Sequence, residues 1–286
     1  SDLTMRGDAM THRMPHDWLQ PDWPAPAGVH ALCTTRAGGT SAAPYDSLNL
    51  GDHVGDRPES VMANRLLLQQ ALEQHSPGAH AVFLRQVHGA QCLPLDASSA
   101  DGACADACVS NVPGRVCTIM VADCLPVLLA HRSGRVVAAA HAGWRGLAGA
   151  EGQGVLESAF KEFSALAQAE KALAAPETIA RDTLAWLGPC IGPQAFEVGG
   201  EVRAAFCDAD PGAQAHFSPQ AGGKFLADLP ALARRRLAAL GVTALYGNDG
   251  SAQWCTVANP SRFFSHRRDN AILGGSGRFA ACVWIA

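Results

Sequence analysis

Apolar and polar positions recur with two periods along this chain of 286 residues. The helical period is clearest over 154–168 (GVLESAFKEFSALAQ). There Val155, Leu156, Ala159, Phe160, Phe163, Leu166 and Ala167 make one stripe, while Glu157, Lys161 and Glu162 face away. The same period predicts helices over 60–74 and 224–240, the latter with Pro230 in its first turn or at a kink, and a short helix near 200–207. Short apolar or alternating runs predict strands over 29–35, 81–88, 116–123, 126–131, 135–141, 183–188 and 279–285. HRSG (131–134) reads as a hairpin turn, which makes the strands on either side of it antiparallel neighbours. The Gly- and Pro-containing segment 208–223 predicts a long surface loop between two helices. Strands and helices do not alternate strictly, so the expected class is α+β, with mixed sheets covered by helices.

Composition narrows the class. Hydrophobic residues are 48% and charged residues 17%, as in a well-packed enzyme and unlike a disordered chain. A net charge of −4 offers no polyanion-binding surface, so no nucleic-acid partner is expected. The one basic cluster, Arg234-Arg235-Arg236, lies within a helical pattern and reads as a solvated helix face. No run of about 18 apolar residues predicts a membrane span. The first residues carry no apolar core of a secretory signal, so a cytoplasmic location is expected, with the natural start at Met5, Met10 or Met14. One domain is expected to span 1–286, with residues 1–17 outside its ordered part. The ten cysteines then read as reduced thiols. There is no Cys-x-x-Cys; Cys104 and Cys108, in CADAC, are the closest-spaced pair, with a structural zinc there as the lesser reading.

Three residues at predicted strand ends carry candidate chemistry: His88 in RQVHG, Cys124 in VADCLP and His141 in AAAHAGWRG. Two imidazoles and one thiolate suit Zn²⁺, and three protein ligands leave a fourth position open for water or substrate. Such an ion lowers the pKa of water toward about 7. Each residue also has a plain reading, since a cysteine ending an apolar strand is commonly a small buried hydrophobe, and a histidine beside glycine is often a turn residue. A third reading makes Cys124 a nucleophile with His141 or His88 as its base. Arg36 (TTRAGGTS), Arg145 (GWRG) and Arg267-Arg268 (SHRRD) lie at turns suited to phosphate or carboxylate, or else form structural ion pairs. The stretch GPCIGPQAFEVGG (188–200) offers backbone N–H groups to an anion.

Taken in order, CTTRAGGTSAAPYDSLNLGDHVGD (33–56), RQVHGA (85–90), DACVS (106–110), VADCLPVLL (121–129), HAGWRGLAG (141–149), GPCIGPQAFEVG (188–199) and CTVANPSRFFSHRRD (255–269) resemble the YfiH-like laccase-domain family. That family is also labelled polyphenol oxidase or peptidoglycan editing factor, and it includes purine nucleoside phosphorylases. The resemblance implies an α/β/β/α sandwich of mixed sheets. It implies one divalent metal on His88, Cys124 and His141, normally Zn²⁺, with Cu²⁺ as an alternative. It places Arg36, Asn49, Arg267 and Arg268 at the substrate cleft, Arg36 among the catalytic residues. The implied activity is phosphorolysis of adenosine, inosine, guanosine and 5′-methylthioadenosine with inorganic phosphate, together with adenosine deamination, by a monomer or weak homodimer. The alternatives are a hydrolase editing the peptidoglycan precursor UDP-MurNAc-dipeptide and a copper-dependent laccase. A multicopper oxidase commonly uses His-x-His pairs, and no two of the eleven histidines here stand two residues apart. The chain departs from the family pattern at Asn259, where an acid is common. It departs again in NAILGGSGR (270–278), which is longer and more apolar than the usual turn before Gly277-Arg278.

Overall fold

The computed structural model describes residues 17–170 and 175–286. The expectation for residues 1–17 therefore lies outside the described residues, save for Asp17, whose carboxylate accepts a hydrogen bond from Thr35 Oγ1 at 2.6 Å. The first half of the chain contains β1 (Val29–Cys33), α1 (Pro58–His75), β2 (His80–Phe83), β3 (Cys92–Pro94), β4 (Ala107–Ser110), β5 (Arg115–Val121), β6 (Leu125–His131) and β7 (Val137–Ala142). Then come α2 (Trp144–Ala148), α3 (Val155–Ala169), α4 (Pro176–Arg181), β8 (Thr183–Leu187), β9 (Glu197–Val198) and α5 (Gly200–Cys207). The chain ends with β10 (Phe217–Pro219), β11 (Phe225–Ala227), α6 (Leu229–Ala239), β12 (Ala244–Gly247), α7 (His266–Leu273) and β13 (Phe279–Ile285).

Two mixed sheets stack. One has the order β1-β13-β5-β2 and the other β12-β8-β6-β7-β4-β3; β9, β10 and β11 form a small third sheet. Strand periodicity sends alternate side chains to opposite faces. Along β13, Phe279, Ala281 and Val283 meet Leu128, Ala130 and Ala139 of the second sheet. Ala280, Cys282 and Trp284 point the other way, onto Leu68 and Leu72 of α1. Leu125, Val127 and Leu129 of β6 turn outward onto Val155, Ala159 and Phe163 of α3. Each central strand is thus covered on both faces, which is why FAACVWI and PVLLAH are continuous apolar runs. The layers are helix, sheet, sheet, helix, as expected from the sequence.

The β6–β7 hairpin forms as the HRSG turn predicts, with Pro126 opposite His141. The helix over 154–168 is α3, its start fixed by Glu157 Oε1, which accepts from the Gly154 N–H at 2.7 Å. Three expectations are corrected. The strand over 81–88 stops at Phe83, the last residue that pairs with β5. The helix over 224–240 begins only at Leu229, because Phe225–Ala227 pair between β10 and β9, and Asp228 caps α6 by accepting from Ala231 N at 3.1 Å. Segment 208–223 is not a plain loop, since it contains a 3₁₀ turn over Pro211–His216 and then β10.

The triple arginine is corrected in part: Arg235 is exposed and pairs with Asp210, as a solvated face predicts, but its two neighbours turn inward. Arg236 is buried, its guanidinium on Glu157 at 2.9 Å and on the Gly152 and Ala148 carbonyls. Arg234 bonds the Asn248 carbonyl at 2.8 Å. Apolar stems and satisfied forks let these residues serve α6 from its packed side. Among the described residues, no helix is long and apolar enough to cross a membrane.

Candidate metal centre and cavity

The hairpin brings the two halves of the centre together. Cys124 stands one residue before β6 and His141 one residue before the end of β7, so the antiparallel register sets them side by side. His88 arrives from the irregular segment after β2, with φ at 59°. The three donor atoms lie within 4.8 Å of one another, the one such group of three among the described residues. A tetrahedral ion with bonds of about 2.0–2.3 Å holds its ligand atoms roughly 3.3–3.6 Å apart, so small side-chain rotations suffice. Sulfur and two imidazoles are also the donors that a borderline-soft divalent ion prefers.

Asp106 organises these residues. It is fully buried just before β4, and β4 pairs with β7. Its carboxylate accepts from the backbone N–H groups of Val87 (3.1 Å), His88 (2.9 Å) and Gly89 (2.9 Å). It also meets His141 Nδ1 at 2.8 Å. This carboxylate accepts only, so Nδ1 keeps its proton and Nε2 is the nitrogen turned to the centre, where a metal ion would take the place of its proton. Burial disfavours the Asp106 anion, but the bonds from His141, Gly89 and Val87 win and hold its carboxyl below the ordinary value.

The thiol and imidazole shift in opposite senses. Burial works against ionised Cys124, yet the His141 and His88 imidazoles beside it prevail and bring its pKa down to about 6. Burial also works against charged His141, but the Cys124 thiolate and the Asp106 carboxylate outweigh it and raise its pKa to about 9. A thiolate is therefore at hand near neutral pH, which suits both a metal ligand and a nucleophile.

Asp123 aims Cys124. Its φ is 120°, and its carboxylate accepts from Thr256 Oγ1, Ser265 Oγ and Arg267 N, each at 2.7 Å. Those bonds tie the β5–β6 turn to the first turn of α7. Gly143 supplies the room, because a Cβ there would stand 2.9 Å from Cys124 Sγ and 3.2 Å from His88 Cδ2. Its own φ of −76° suits alanine, so Gly143→Ala acts by crowding alone. We expect that variant to fold and to lose about tenfold or more in metal affinity, as read by chelator competition. Unchanged affinity would show that the ligands need no room there.

The centre forms part of the wall of a cavity of about 360 Å³. Met120, Ile191, Phe196 and Leu229 give it apolar surface, while His53, Gln86 and His266 give it polar edges. Arg145, Arg267 and Arg278 also line it. Gln86 extends the β2–β5 pairing with its side chain, bonding Met120 O at 2.7 Å and Met120 N at 2.9 Å.

Of the residues that the resemblance assigns to the cleft, the structure brings only Arg267 to this cavity beside the three ligands. The guanidinium of Arg36 bonds the Asp46 carbonyl at 2.8 Å and the Pro260 carbonyl at 2.9 Å, and it packs over Phe264. Asn49 is buried and points its amide at Gly51 O and Asp56. Arg268 spans the Thr256 and Phe263 carbonyls and pairs with Asp269 at 2.8 Å. These three are already satisfied inside the protein. Asp106, Asp123 and Arg278 are the residues that the sequence reading did not place at the site. An acid heading the buried run ACVS was the available signal for Asp106.

Stacked mixed sheets whose β6–β7 hairpin brings Cys124 and His141 to His88, from the segment after β2, define a protein with a donor set suited to a metal ion beside a small-molecule cavity. The chain belongs to the enzyme family described as multi-copper polyphenol oxidoreductase laccase, whose model matches residues 30–286. It is 49% identical over 269 residues to a purine nucleoside phosphorylase of Pseudomonas aeruginosa, covering 94% of this chain and 98% of that one. It is 48% identical over 267 residues to the purine nucleoside phosphorylase YfiH of Escherichia coli, covering 93% and 98%. Among solved structures it resembles a Neisseria meningitidis protein with a TM-score of 0.79 and 43% identity, covering 94% of this chain and 99% of that one.

Proposed function

We propose that this protein is a zinc-dependent purine nucleoside phosphorylase acting on adenosine, inosine, guanosine and 5′-methylthioadenosine, with adenosine deamination as a second activity. The observation that carries the reading is the His88–Cys124–His141 donor set, held by Asp106 at a cavity with both an apolar wall and arginines that take part in no ion pair among the described residues. The relatives named purine nucleoside phosphorylase, at 49% and 48% identity, support the substrate class.

An ion at the trio, when bound, supplies Lewis-acid polarisation and acidifies water near neutral pH. The chain's own residues do the rest. Met120, Ile191 and Phe196 offer an apolar surface to the flat base. In phosphorolysis a phosphate oxygen bonds C1′ as the bond from C1′ to N9 breaks, and the electron pair leaves with the base. The arginines of the cavity hold the phosphate against the sugar, converting a bimolecular encounter into an oriented one. Ten free thiols support a cytoplasmic location for the enzyme. A single three-residue donor cluster among the described residues supports a one-metal site over a multicopper one.

The test is inosine with and without inorganic phosphate. We expect phosphate-dependent release of hypoxanthine and about one equivalent of zinc in untreated protein. Absence of turnover on every purine nucleoside would reject the reading, and several coppers per chain would favour an oxidase.

A further inference from the structure

We propose that Arg278 is the anion-holding group of the cavity and binds the inorganic phosphate that attacks the sugar. This rests on the phosphorylase reading for the identity of the anion, while the subsite itself rests on geometry. Three observations lead to it.

The first is the balance of charge. The chain as a whole carries −4, yet three arginines, Arg145, Arg267 and Arg278, line this one cavity. None of the three takes part in the ion pairs of the described residues; Arg36, Arg65, Arg236 and Arg268 all do. Asp123 is the carboxylate that shares the cavity wall. Its oxygens already accept from Thr256, Ser265 and Arg267 N. Cys124 adds a thiolate to the same wall, where it faces His88 and His141; three arginines against one committed carboxylate and that thiolate leave the cavity attractive to anions.

The second observation separates Arg278 from the other two. Arg145 and Arg267 are exposed, whereas Arg278 is half-buried. Arg145 stacks on Trp144, with 4.7 Å to the ring centroid. Arg267 is turned toward the Glu197 carbonyl at 3.0 Å. Arg278 spends one nitrogen, Nη1, on the Ser276 and Gly277 carbonyls, each at 3.0 Å. Its Nε and Nη2 make no hydrogen bond among the described residues, which leaves one edge of the fork free. That edge is the part of a guanidinium that meets two oxygens of a phosphate in parallel.

The third observation is how firmly the arginine is placed. Asn49 Oδ1 accepts from Arg278 N at 2.8 Å, and Leu50 N donates to the Arg278 carbonyl at 3.0 Å. Gly51 leaves space for the side chain, since a Cβ there would stand 2.9 Å from Arg278 Cγ. Cys124 and Asp123 favour its charge from across the cavity, but no carboxylate pairs with it directly, so a half-buried guanidinium with one open edge gains from an anion that meets it. This placement also gives Asn49 a role, as the residue that pins the arginine rather than one that touches substrate.

The test is isothermal titration of inorganic phosphate into the metal-loaded protein, with inosine titrated separately. Two variants are used, Arg278→Gln and Gly51→Ala, the second keeping the charge but displacing the side chain. Metal content and far-UV circular dichroism establish that each is folded. Loss of a charged hydrogen-bonding fork corresponds to about 10- to 100-fold in affinity. We expect Arg278→Gln to weaken phosphate by that factor and inosine by less than about threefold. Gly51→Ala should weaken phosphate in the same direction. Wild-type phosphate affinity in a folded, metal-loaded Arg278→Gln protein would overturn the proposal, and so would a loss confined to inosine. If wild type binds phosphate through Arg278 but cleaves no nucleoside, the phosphorylase reading falls and the anion subsite stands.

Discussion

Cys124→Ala is expected to empty the metal centre and to reduce purine nucleoside turnover to background. Partners that merely orient a metal ligand contribute about 10- to 100-fold in affinity. A direct donor, and the one anionic donor of this trio, should contribute at least about a hundredfold on that scale. The fold should survive, because Cys124 lies outside β6 and its side chain faces the cavity. Elemental analysis and thermal melting of the metal-free forms check both statements. The variant also separates two chemistries that share these residues. Full zinc content with no activity would make Cys124 a nucleophile. Full zinc content with full activity would remove it from the mechanism. Loss of both is the result that a ligand requires.

How much of this was legible in the sequence depends on what kind of signal each residue leaves. The sandwich was legible because β6, β7 and β13 are buried on both faces, so their apolar runs are long and unbroken. The pairing of Cys124 with His141 followed from one hairpin turn, since register in an antiparallel pair is fixed by the loop that closes it. His88 had no such warrant. It reaches the centre through an irregular segment at positive φ, which no periodicity reports; the strand end that grouped it with the other two is absent, since β2 stops at Phe83, and the resemblance carried the assignment.

The arginines show the limit from the other side. Arg36, Arg268 and Arg278 all lie near Gly- or Ser-containing turns, and a sequence does not state where a long side chain points. Arg36 and Arg268 find carbonyls and carboxylates within the protein, whereas Arg278 leaves part of its fork to the cavity. The same holds for the Arg234-Arg235-Arg236 run, where charge suggested solvent but Glu157 on α3 draws Arg236 inward. The start of α6 was missed because Phe225 and Leu226 fit a helical stripe and a strand equally well. Long-range pairing with β9 decided it.

The second large effect is expected from Asp106→Asn, and it concerns a residue that touches no substrate. The carboxylate has two oxygens that accept from four donors: three backbone N–H groups around His88 and the Nδ1–H of His141. An amide has one oxygen to accept with, and its NH₂ must turn toward some of those same donors. Two consequences follow from this single loss. The Val87–Gly89 turn loosens, so His88 no longer arrives at its φ of 59° by constraint. His141 also loses the anion that fixes its tautomer, so its Nε2 lone pair is no longer held toward the centre. Two of the three ligands are thus degraded through one side chain. We expect metal affinity to fall by about 10- to 100-fold. Folding stability should fall by about 1–3 kcal/mol for each buried donor left without an acceptor. Chelator competition reads the first, and denaturant melts of the metal-free protein read the second. If Asp106→Asn lowered stability but bound zinc as tightly as wild type, the carboxylate would be an element of the fold only, and the orientation of His141 would have to come from the β4–β7 pairing itself.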